Sequence, residues 1–202
     1  MRCTDEHIDA LREIVNVGVG SAASILNSML NAHVRLEVPV LRIVTLDELM
    51  RDMESERGTQ TLAAVSMAFK GDISGVAEVV LPSGSAARFV AALAQDDSGD
   101  SDLDAIQAGT LSEVGNIILN SVVGSVSNTL EFSLTYALPN YLEGGIGDVM
   151  PRDDVTSKSA IVIAHTRFGI EQLAIVGDIV MFIDRQSFDS LLTAIDSCHA
   201  RI

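Results

Sequence analysis

Two pairs of residues have the types and the spacing to act together: Glu13 with Asn16, in EIVN, and Glu113 with Asn116, in EVGN. Residues three apart share one side of a helix, with about 5–6 Å between β-carbons, so each pair offers one anion and one neutral amide to the same surface. Each Asn is followed, after 22 intervening residues, by a proline, Pro39 and Pro139. Other candidates are weaker. Gly18-x-Gly20-x-x-Ala23 has the form of a dinucleotide loop, but that loop needs a strand before its glycines and a helix beginning at them, and here helical periodicity already starts at Ile8. His7, His33, His165 and His199 have no HxxxH or HExxH spacing, which argues against a metal site. Ser21, Ser24 and Ser121 sit on helices with no nucleophile elbow, and Asp153 with Asp154 reads as a solvated loop.

The elements that must position the two pairs repeat at an offset near 100 residues. The pattern predicts a helix over about Asp5 to Asn31, with Thr4 as N-cap, and a strand around His33 to Val44. A loop with a short helix follows through Asp47 to Gly58, then strands at TLAAVSMAF (61–69) and SGVAEVVL (74–81), with GDISG (71–75) as their turn, and a helix from about Ser85. The second half repeats this from about Leu103, with strands SAIVIAHTRF (159–168) and LAIVGDIVMFI (173–183) and a helix at SFDSLLTAI (187–195). The halves, about 1–95 and 103–202, join through the acidic linker Gln95 to Asp104, and strands this apolar are expected to share one sheet. The fold class is α/β: a single internally duplicated domain with two long amphipathic helices.

On a helical wheel Ile8, Leu11, Val15, Val19, Ala22, Leu26, Met29 and Leu30 fall in a core sector about 100° wide. Asp9, Glu13, Asn16, Gly20, Ala23 and Asn27 fall on a different, accessible stripe, where the glycines are expected to thin an exposed helix face. In the second helix Glu113, Asn116, Asn120, Gly124 and Ser127 lie opposite Leu111, Ile118 and Val122.

These residues resemble a known motif. The CheC, CheX and FliY phosphatases of chemotaxis, CheC in particular, carry Asp or Ser, three residues, Glu, two residues, Asn, 22 residues, Pro. The first copy is complete as Asp9, Glu13, Asn16 and Pro39; the second has Glu113, Asn116 and Pro139, with Gly109 in place of the leading Asp or Ser. The resemblance runs along essentially the whole chain. It implies a CheC-like, pseudo-two-fold fold with a central sheet, and a hydrolase that removes phosphate from the aspartyl-phosphate of the response regulator CheY. Asn16 and Asn116 would each orient a water for in-line attack, and Glu13 and Glu113 would pair with the regulator's lysine. No cofactor of its own is implied, because CheY would bring the Mg²⁺. CheD is an implied second partner, and a non-catalytic module of the FliM type, or an adaptor for CheD, is the alternative.

Charge narrows the partners further. Of 202 residues, 28 are acidic and 13 basic, a net charge of −15, with lysine only at Lys70 and Lys158. A phosphate backbone or an anionic membrane needs a positive face, so nucleic acid is excluded as the expected ligand. No apolar run nears the roughly 18–20 residues of a spanning helix, no apolar signal region opens the chain, and Cys3 and Cys198 lack CxxC spacing, so free thiols and a cytoplasmic location are expected. Dense negative charge with little lysine suits a salt-rich cytoplasm, where repulsion is screened. The melting temperature is therefore expected to rise from low to molar KCl; equal values would remove the high-salt reading.

Overall fold

The computed structural model describes residues 3–30, 33–94, 103–151, 159–170 and 173–199. The first half runs α1 (Asp5–Leu30), β1 (Val34–Val44), α2 (Leu46–Arg57), β2 (Leu62–Gly71), β3 (Gly75–Pro82) and α3 (Ser83–Ala94). The second runs α4 (Leu103–Thr129), β4 (Leu134–Tyr136), β5 (Asn140–Gly144), α5 (Ile146–Val149), β6 (Ser159–Ile170), β7 (Leu173–Asp184) and α6 (Arg185–His199). Each element of the first half has its counterpart about 100 residues later, with β1 answered by the two pieces β4 and β5. The expected linker at Gln95 to Asp104 lies mostly outside the described residues, as do Asp153 and Asp154.

All seven strands form one sheet in the order β1-β6-β7-β3-β2-β4, with β5 also paired to β2, and every pairing is antiparallel. The halves exchange their outer strands: β1 pairs with β6 of the second half, and β4 and β5 pair with β2 of the first. Period-two alternation then sends side chains to two cores. On β3, Ala77, Val79 and Leu81 join the core under α1, α3, α4 and α6, while Val80 joins Leu49, Met53 and Phe182 under α2. The short helix α2 is fixed by a capping box, Thr45 accepting from the Glu48 backbone N–H and Glu48 accepting from that of Thr45. Thr4 likewise accepts from the His7 N–H, and His7 in turn ties α1 to Asp196 of α6 at 2.9 Å.

The two long helices run antiparallel across the sheet and touch. The Ser125 hydroxyl of α4 donates to the Ile14 carbonyl of α1 at 2.8 Å. One turn on, a β-carbon at Gly18 would stand 2.6 Å from Val122 Cα and 2.7 Å from the Ser121 carbonyl oxygen. This corrects the wheel. Gly18 is buried at the helix crossing rather than thinning an open face, and Ala23 is also buried. Met29, placed in the core by periodicity, is 61% exposed, and Ile8 is only half-buried. In α4, Ser127 is buried and donates to the Phe132 carbonyl instead of lying on the accessible stripe. Gly18, Ala23 and Ser127 share a reason: α1 and α4 pack against both the sheet and each other, so their buried sector is wider than one core stripe and is rotated toward the neighbouring helix.

Two acids stand at equivalent places in the centre of the sheet, on the α2 side: Glu78 of β3 and Asp178 of β7, paired with Val180 and Val80 across the β3–β7 ladder. Asp178 is satisfied, accepting from Arg57 and from His165 Nδ1 (2.7 Å), and that carboxylate raises the pKa of His165. Glu78 is fully buried and neither oxygen has a hydrogen-bond partner; burial pushes its carboxyl up to about 7. A carboxyl raised in the folded state favours folding fully below its unfolded value and loses that contribution as pH rises through the folded one. The shift of Glu78 corresponds to about 3 kcal/mol lost between pH 5 and pH 8, and His165, also raised, acts in the same direction. Urea unfolding at the two pH values should show this decline in the native chain and a clearly smaller one in Glu78→Gln. An identical decline in both would show that Glu78 ionises without cost.

Candidate functional site

Glu13 and Asn16 lie one turn apart on the outer side of α1, both exposed, and Glu113 and Asn116 do the same on α4, with Glu113 exposed and Asn116 half-buried. The structure keeps them as two separate pairs, one per helix. Neither carboxylate has a salt bridge or hydrogen bond among the described residues, so both anions are open to a partner. Asp9, one turn before Glu13, is held by Arg12 at 3.0 Å. Its counterpart Gly109 is exposed, with nothing near the place where a β-carbon would stand.

The spacing from Asn16 to proline has a physical reading. The β1–β6 ladder shifts register between Glu37 and Val40, so Val38 and Pro39 fall outside the regular pairing. Pro39 has no N–H to lose there, and a strand proline is best placed at such an irregularity. Val38 does have one, and its side chain is buried. Asn16 takes over: its Oδ1 accepts from the Val38 N–H at 3.1 Å and its Nδ2 donates to the Val38 carbonyl at 3.4 Å. The 22-residue interval is thus the chain length that brings the kink of β1 beside the amide on α1. Withdrawing Asn16 would leave that N–H without its partner, at a cost of about 1–3 kcal/mol if the strand does not relax.

The second copy is built differently. The kink becomes a complete break, with β4 ending at Tyr136 and β5 starting at Asn140, and Leu138 is 91% exposed where Val38 is 3% exposed. Gly115 puts α4 directly on Val65, a β-carbon there standing 2.6 Å from that of Val65, and Val65 pairs with Tyr141 two residues past Pro139. Asn116 nevertheless makes no bond to the Leu138 backbone. Its Oδ1 accepts instead from Asn120 Nδ2 at 2.6 Å. Sequence reasoning placed Asn120 on this stripe without giving it a role; the signal was the four-residue spacing of two amides. Val38 and Leu138 were missed, although each immediately precedes a motif proline.

Competing sites lose their support. Gly18 and Gly20 lie within α1, away from any strand-to-helix turn. His7 and His165 are engaged by Asp196 and Asp178. Among the described residues no three His, Cys, Asp or Glu side chains gather as a metal site, and no helix is long and apolar enough to cross a membrane.

Comparison with known proteins agrees with the motif. A model of the CheC-like family matches residues 6–43, a span that holds Asp9, Glu13, Asn16 and Pro39. The CheY-P phosphatase CheC of Bacillus subtilis (strain 168) is 25% identical over 199 residues, 95% of this chain and 94% of that protein. Among solved structures, FliY of Thermotoga maritima superposes with a TM-score of 0.73 at 19% identity, over 98% of this chain and 100% of that one. The FliM middle domain of H. pylori gives 0.64 at 15% identity, over 95% and 99%. CheX, from the CheX-CheY-BeF3-Mg²⁺ complex of Borrelia burgdorferi, gives 0.56 at 17% identity, over 86% and 99%. The chain is thus similar in sequence to the CheC-like family across the first motif and to CheC along nearly its whole length, and it shares its fold with FliY, the FliM middle domain and CheX.

Proposed function

We propose that this chain is a phosphatase for the aspartyl-phosphate of a CheY-type receiver domain, with Glu13/Asn16 and Glu113/Asn116 as its two sites. The observation that carries the reading is the repetition of an accessible acid and amide, one turn apart, on two helices of a fold shared with CheC, CheX and FliY. An acyl phosphate has a good leaving group, so its hydrolysis needs a positioned water more than a protein nucleophile. The amide of Asn16 or Asn116 suits that task because it accepts through its carbonyl and donates through its NH₂. A carboxylate in the same place would repel the phosphoryl oxygens. Glu13 and Glu113 would hold the helix in register by pairing with a cation of the receiver. The Mg²⁺ that neutralises phosphoryl charge would come with the receiver, and this chain would contribute no metal.

The likeness to the FliM middle domain supports a second reading, an interaction module that binds without turnover. One experiment separates them: decay of phosphorylated CheY from the same organism, in Mg²⁺ and physiological salt, alone, with the native chain, and with an Asn16→Ala/Asn116→Ala double variant. Each single variant is expected to keep part of the acceleration and the double variant none, with a cooperative melting transition retained and lowered only by the loss of the bonds that Asn16 makes to Val38. Full acceleration by the folded double variant would refute the mechanism, and binding without acceleration by the native chain would establish the module.

A further inference from the structure

From the geometry of the two amides we infer that the sites are unequal: Asn116 is the working amide, and Asn120 is the positioning residue that makes it so. This rests on the phosphatase reading and deepens it. The backbone repeat at 100 residues places Asn120 opposite Gly20, and there the copies part. On α4, Asn120 Nδ2 donates to Asn116 Oδ1 at 2.6 Å. The bond fixes which end of the amide points along the helix, and it leaves the NH₂ group and one lone pair of Oδ1 for a water and its target. An amide whose orientation is set before the partner arrives has less to reorganise when it acts.

On α1 the fourth residue along is Gly20, with open space where a β-carbon would be. Nothing there holds Asn16 outward. Its two polar atoms both face the backbone of Val38. To meet a receiver, Asn16 must release both bonds and strip the N–H of a buried residue of its partner. The neighbouring surfaces differ in the same sense. Val38 is packed beneath the first site, whereas Leu138 presents a fully exposed apolar side chain beside the second. The first amide is closed off by the bonds to its own strand, and the second, although the less exposed of the two, is open on its NH₂ side.

The test is dephosphorylation of the receiver at several receiver concentrations, giving kcat and KM for each variant, with melting temperatures as the control for folding. The bonds that Asn16 must give up imply a first site at least about fivefold slower. Asn16→Ala should then keep roughly four fifths or more of the native rate, and Asn116→Ala about one fifth or less. With Asn16→Ala as background, so that only the second site works, Asn120→Ala should lower kcat several-fold with KM unchanged. A purely structural loss would instead move the melting temperature as well. With Asn116→Ala as background, Gly20→Asn should raise kcat by supplying the first site with the missing donor. Equal losses from Asn16→Ala and Asn116→Ala, or an unchanged kcat in the Asn120→Ala variant, would overturn the inequality while leaving the phosphatase intact. No acceleration by the native chain would defeat the phosphatase reading itself, and this inference with it.

Discussion

The close approach of α1 to α4 at Gly18 sets which faces of the two long helices reach the outer surface. No side chain fits between Gly18 and the backbone of Ser121 and Val122, and the Ser125 hydroxyl reaches the Ile14 carbonyl beside it. A helix held against a sheet alone can still roll about its axis. Held against a sheet and a second helix backbone at once, it cannot roll without a clash, and close packing transmits any change of volume there directly. The rotation of α1 therefore fixes that Glu13 and Asn16 face outward, and that of α4 fixes the same for Glu113 and Asn116. Exposed residues inherit their geometry from a buried glycine.

The sheet supplies the complementary constraint. Because β1 pairs with β6 and β4/β5 with β2, each long helix is followed by a strand that crosses into the other half. Pro39 sits in that crossing strand, and Pro139 in the break between the two pieces of its counterpart. The irregularity at Val38 and Pro39 is what exposes a backbone N–H to Asn16, so the motif ties an amide on a helix to a kink in the next strand rather than naming two independent residues.

Much of this was readable from the chain alone, and the failures have separate physical causes. Strands such as β6 and β7 announce themselves by short apolar runs, IVIA (161–164) and IVMFI (179–183), and the helix wheel identifies Leu11, Val15, Val19, Ala22 and Leu26, all buried. It misplaces Gly18, Ala23 and Ser127 because periodicity reports one buried face, whereas a helix touching two neighbours has two. It misplaces Met29 because the core ends before the helix does. The buried set Arg57, Glu78, His165 and Asp178 was not legible, since Arg57 and Asp178 are 121 residues apart and only the strand order brings them together. The open and closed states of the two amides were not legible either, because they depend on whether a strand kinks or breaks before its proline.

A duplicated chain differs from a homodimer in a way that the equivalent positions make concrete. In a symmetric dimer any substitution appears at both sites, so the two must stay alike. Fusion into one chain keeps the symmetry only where packing demands it, in the strand order and the crossing helices, and releases every other position to change singly. Asp178 has an arginine and a histidine where Glu78 has no hydrogen-bond partner; Leu138 is exposed where Val38 is buried; Asn120 stands where the first copy has Gly20. The backbone remains two-fold because one sheet must be shared. The side chains around the two amides are under no such obligation, so positions that the backbone makes equivalent can present different surfaces.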